Sequence, residues 1–214
     1  MSSGTAEVRG ADLEVATPGV AATIHPWWVR ITHWINVVAM LLMMMSGWQI
    51  YDASPLFPFR FPPAITIGGW LAGALLWHFA AMWLLVVNGI VYVTLGIATG
   101  RFRRKLFPIR PSDVARDLSA ALRFRLSHAD LSVYNAVQRL LYVGVIAAGL
   151  VAVLSGLSIW KPVQLQEVTA VFGGYNAARY VHFFAMAAIV GFLFVHITLA
   201  FLVPKSLRAM IIGR

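Results

Sequence analysis

The chain has 214 residues, of which 60% are hydrophobic and only 12% charged; its mean hydropathy of +0.77 excludes an ordinary soluble domain and implies a polytopic membrane protein. It contains no cysteine, so thiolate-bound iron–sulfur clusters, covalently attached c-type haem and disulfides are excluded, and histidine is left as the best metal ligand. The formal charge of +9 is read as the basic excess of cytoplasmic loops rather than as a nucleic-acid footprint.

Residues 1–24 are mostly polar and small, with Glu7, Arg9, Asp12 and Glu14, and lack the apolar core of a cleaved signal peptide. They are expected to form a flexible cytoplasmic tail before a membrane domain over 25–214. The first span is expected at about 31–51, between Arg30 and Asp52, acting as an uncleaved signal anchor. Pro55, Pro58, Pro62 and Pro63 then break the chain into a surface loop. From Phe61 to Gly100 no formal charge occurs; with no turn signal to divide it, the stretch is read as one long helix over about 64–99.

The segment from Arg101 to Arg139 is polar, with nine basic residues against Asp113, Asp117 and Asp130. Within it Val114, Leu118, Ala121 and Leu122 share one helical face, which predicts an amphipathic helix on the lipid surface. A third span is expected at about 140–160 and a fourth at about 180–204. Four spans place both termini and the long loop on one side with fourteen of the seventeen Lys and Arg. The positive-inside rule then makes that side cytoplasmic. The expected fold is an all-α four-helix transmembrane bundle.

Ionisable residues inside a span are costly and usually functional. His182 and His196 lie fourteen residues apart in the fourth span, ~40° short of four full turns and ~21 Å of rise on a helix. Both imidazoles therefore leave one face, one near each side of the membrane. By depth, His33 shares the cytoplasmic leaflet with His196, and His78 the outer leaflet with His182. Two pairs on facing helices are the arrangement of two bis-imidazole b-type haems, whereas structural zinc wants four clustered ligands. Gly47, fourteen residues after His33, would leave room for a flat porphyrin, ordinary small-residue packing being the alternative. His25 and His128 are read as interfacial or solvated. Trp77, Phe79 and Trp83, and the methionines Met40 and Met43 to Met45, are read as bundle core.

The HPWWVRITHWIN opening, His78 in the second span and the His182/His196 pair resemble the bacterial cytochrome b561 family, the dihaem b-type subunits of hydrogenase, formate dehydrogenase and thiosulfate reductase complexes. The long basic loop, the YNAVQRLLY start of helix 3 and the GGYNAARYVHFFAM start of helix 4 are most similar to thiosulfate-reductase-like members. The resemblance implies an electron conduit between a quinone and a periplasmic partner, commonly a molybdopterin oxidoreductase. It implies His33 and His196 at the quinone side and His78 and His182 at the partner side. Arg30, Arg139, Lys161 and Arg179 sit at membrane edges within range of haem propionates, although snorkelling or topogenic roles are commoner for such charges.

Two other classes stay open. One is a self-sufficient quinone-coupled oxidoreductase that takes electrons from superoxide. The other is a haem-free transporter or membrane anchor, against which stand the absence of an inverted repeat and of any mid-span acidic residue. The direction of electron flow, the quinone type and a homodimeric state are likewise left open.

Overall fold

The computed structural model describes residues 25–106, 110–122 and 136–213; the expectations for the 1–24 tail and for His128 lie outside them. Among the described residues the chain is all-α, and four of its helices are long and apolar enough to cross a membrane. These are α1 (Trp27–Ala53), α2 (Leu71–Ala98), α5 (Ala136–Trp160) and α7 (Tyr175–Leu202). Between α2 and α5 come α3 (Arg101–Leu106) and the amphipathic α4 (Pro111–Leu122); α6 (Gln166–Val171) joins α5 to α7, and α8 (Pro204–Ile212) closes the chain.

The long helices pair as two antiparallel hairpins, α1 with α2 and α5 with α7, each tightly packed along its length. Between the hairpins the backbones approach far less closely. Side chains bridge that space. What each hairpin buries is small: Ala39, Ala74, Ala81, Ala178, Ala185, Ser46, Ser155 and Ser158. Without a hydrophobic drive between helices in lipid, close backbone approach over small residues is what holds them together. The large apolar side chains point outward instead, Leu76, Ile90, Phe194 and Phe201 among them, as a lipid-facing belt. One buried amide joins α1 to α2: the Asn88 Nδ2 amide donates to the Thr32 carbonyl and to Asn36 Oδ1, each at 2.8 Å.

Helix ends differ from the sequence expectation for two reasons. The second span begins at Leu71, not near 64. Pro63–Ile65 forms a 3-10 turn, and Gly68 and Gly69 take φ of +105° and +70°, which a right-handed helix does not admit. The intervening chain folds back on α1, where the Ile67 N–H donates to the Met45 carbonyl at 3.2 Å and Thr66 to Gln49 at 2.8 Å. At the other spans Arg30, Arg139 and Arg179 all lie inside helices that extend beyond the expected bounds of 31–51, 140–160 and 180–204. A charge marks the edge of the hydrocarbon, not the end of the helix, because its head snorkels while the backbone continues.

Candidate functional site

The four span histidines meet in two pairs at two depths between the hairpins. Near the end that carries both described chain ends, His33 of α1 faces His196 of α7, with ring centroids 6.1 Å apart. Two imidazole nitrogens each about 2 Å from one metal ion place their ring centroids roughly 6 Å apart, so the separation suits a shared ion. Trp34 meets His33 edge-on at 5.2 Å, and Phe192 stacks on His196 at 5.5 Å and 12°. His33 Nδ1 is buried with no hydrogen-bond partner among the described residues.

At the opposite depth His78 of α2 lies within electrostatic reach of His182 of α7. Their Nδ1 atoms are committed. His182 Nδ1 donates to the Ala152 carbonyl at 2.9 Å and lies 3.1 Å from Ser155 Oγ. His78 Nδ1 lies 2.9 Å from Ser46 Oγ. Each ring thus keeps Nε2 for a ligand, and an acceptor on the other ring nitrogen fixes the tautomer and orientation of metal-binding histidines. Among the described residues no three His, Cys, Asp or Glu side chains cluster as a bare-metal site would need. A macrocycle that brings four nitrogens of its own needs only the two imidazoles that each pair offers.

Gly47 lies against the His78 ring. A Cβ there would stand 3.5 Å from His78 Cε1, so the glycine admits the imidazole ring itself. Gly156 does the same for His182, more tightly, at 3.2 Å.

Arg30, Arg179 and Lys161 each have a partner within the protein. Arg30 donates to the Ile211 carbonyl at 2.9 Å, at the C-terminus of α8 where a cation meets the helix dipole. Arg179 donates to the carbonyl and hydroxyl of Ser54. Lys161 lies over the Trp160 ring at 5.0 Å. His25 is buried against Arg101, Nδ1 to Nη2 being 3.1 Å, an interfacial clasp between the start of α1 and α3. A hollow of about 390 Å³ is lined by Trp27, Arg30, Ile31, Trp34, Ile35 and Ile211, next to His33 through Trp34.

Sequence reasoning missed Ser46, Ser155 and Gly156. The available signal was a Ser-Gly step in both α1 and α5.

A four-span bundle with half-buried histidines paired by depth between its hairpins defines a membrane cytochrome of the b type. The sequence model of the prokaryotic cytochrome b561 family matches residues 24–213, and the chain belongs to that family. A protein of Azospira oryzae named "Putative protein-methionine-sulfoxide reductase subunit YedZ1" is 55% identical over 190 residues, which are 89% of this chain and 96% of that one. The chain is accordingly a multi-pass membrane haem protein of electron transport.

Proposed function

We propose that this chain is a dihaem conduit between a quinone pool and a periplasmic oxidoreductase. In this reading it lies in a bacterial inner membrane with its termini in the cytoplasm. The observation that carries it is the stacking of two histidine pairs at two depths, with α7 contributing to both. His33 and His196 hold one haem, His78 and His182 the other. A haem ligated by two imidazoles supplies one-electron chemistry with both axial positions filled. The chain's part is to hold, orient and keep dry what it binds.

The hollow beside His33 is the place this reading gives to the quinone head. Its volume of about 390 Å³ suits a small ligand, and it opens to lipid through Trp27, Ile31 and Trp34, all exposed. Trp34 separates it from His33, and the buried, unpartnered Nε of Arg30 is a donor for a quinone carbonyl. On the opposite face, the name of the Azospira relative favours a partner that reduces methionine sulfoxide, consistent with a molybdopterin enzyme. Returning a sulfoxide to a thioether consumes two electrons and two protons and releases water. A quinol supplies both, so electrons run from the quinone end towards His78 and His182.

The test uses the purified holoprotein in liposomes with a short-chain quinol. Reoxidation is expected only when the co-expressed periplasmic oxidoreductase and a methionine-sulfoxide peptide are both present. Turnover with superoxide and quinone alone, without a partner, would overturn this reading in favour of a self-sufficient oxidoreductase.

A further inference from the structure

The two hairpins are one device used twice. Ser46-Gly47 of α1 faces His78 of α2, and Ser155-Gly156 of α5 faces His182 of α7. The sequence after each histidine repeats, His78-Phe79-Ala80-Ala81-Met82 against His182-Phe183-Phe184-Ala185-Met186. Burial repeats with it. Ala74 and Ala81, four residues before and three after His78, match Ala178 and Ala185 around His182, and all four are buried, as are both serines.

Contacts across the bundle are reciprocal as well. Phe79 packs on Trp160 at 5.0 Å between ring centroids, and Phe183 on Tyr51 at 5.3 Å. Trp160 and Tyr51 each stand five residues after the serine of their own hairpin. Contact from i to j matched by contact from j to i marks a two-fold relation. Because α1 and α5 run in the same direction, the axis lies along the bundle, between His78 and His182.

The hydrogen bonds decide where the protons sit. A carbonyl only accepts, so the Ala152 oxygen requires a proton on His182 Nδ1. Each serine sends its own proton to the carbonyl four residues back, Ser46 to Leu42 and Ser155 to Val151. Its Oγ therefore presents a lone pair to Nδ1–H. Both imidazoles are held in the tautomer with a bare Nε2.

We propose that Ser46 and Ser155 are matched positioning residues for a haem on this two-fold axis. They hold its two axial imidazoles equivalently and raise the basicity of both. Acceptors on Nδ1–H make Nε2 a stronger donor, which favours the ferric state and lowers the midpoint potential. The inference rests on the His78/His182 ligation proposed above.

The test is a potentiometric titration, with haem content per chain, of the full-length holoprotein carrying Ser46→Ala or Ser155→Ala. Two haems are retained, and the same one of the two midpoint components moves upward in both variants by similar amounts. Ser46→Cys and Ser155→Cys, which keep the volume but accept more weakly, move it in the same direction and cover the case in which an alanine variant loses its haem. Unmoved midpoints, a downward shift, or serines acting on different components would overturn the proposal. His78→Ala and His182→Ala separate it from its premise: each removes the component the serines tune, and survival of that component in both would mean the ligation reading had failed instead.

Discussion

At the depth of His78 and His182 each imidazole is gripped by the other helix of its own hairpin, through Ser46 in one case and Ser155 and Ala152 in the other. At the depth of His33 and His196 the grip is of another kind. His33 stands thirteen residues before Ser46, and the residue thirteen before Ser155 is Tyr142; His196 stands fourteen after His182, and the residue fourteen after His78 is Tyr92. The repeat that builds one pair symmetrically is broken at the other, where two histidines and two tyrosines occupy the four related positions. There the rings are fixed by aromatic neighbours, Trp34 against His33 and Phe192 against His196.

The largest expected effect removes one depth at a time. His78→Ala or His182→Ala abolishes one component of the reduced-minus-oxidised spectrum, His33→Ala or His196→Ala abolishes the other, and all four stop quinol-driven transfer to the partner. Complementary losses measured by pyridine haemochrome sharpen the comparison; loss of both haems from every variant would break it.

Within the symmetric site the two glycines are not equally crowded. Gly156→Ala brings a Cβ to 3.2 Å from His182 Cε1, and overpacking of this kind costs about 1–3 kcal/mol. Gly47→Ala meets His78 at 3.5 Å, ordinary contact, and gains about 0.5–1 kcal/mol of helix propensity. Thermal unfolding in detergent should therefore move down for the first and stay or rise for the second.

Asn88→Ala leaves the Thr32 carbonyl and Asn36 without their shared donor. Interhelical hydrogen bonds of this kind in membranes are worth about 0.6–1.7 kcal/mol. The same unfolding assay should register a loss of that size with both haem components intact.

The smallest effect lies at α8. Gly213 takes φ of +90° beside Arg30, where a Cβ would come to 3.3 Å from Cζ. Gly213→Ala loosens α8 from α1 and raises KM for quinol by no more than about fivefold, the equivalent of about 1 kcal/mol, leaving haem spectra unchanged.

Much of this was legible in the sequence because lipid imposes strict rules. The four apolar stretches and the depth of each histidine follow from charge and spacing alone, since a charged group cannot sit deep in hydrocarbon and a helix has a fixed rise. The start of α2 was not legible, because Gly68 and Gly69 signal a break only once the chain is seen to turn back on α1. Nor was the role of Gly47, since spacing gives depth but not which ring faces the missing side chain. The Ser-Gly repeat was visible but unremarkable: the halves have diverged at most other positions, and only the bonds to Nδ1 show which residues to align.

The central claim is that the two histidine pairs hold two b-type haems. It is tested most directly by haem stoichiometry, pyridine haemochrome against protein concentration, on the purified chain from haem-replete cells. The account predicts two b haems per chain. One haem, or none in a well-folded preparation, would contradict it.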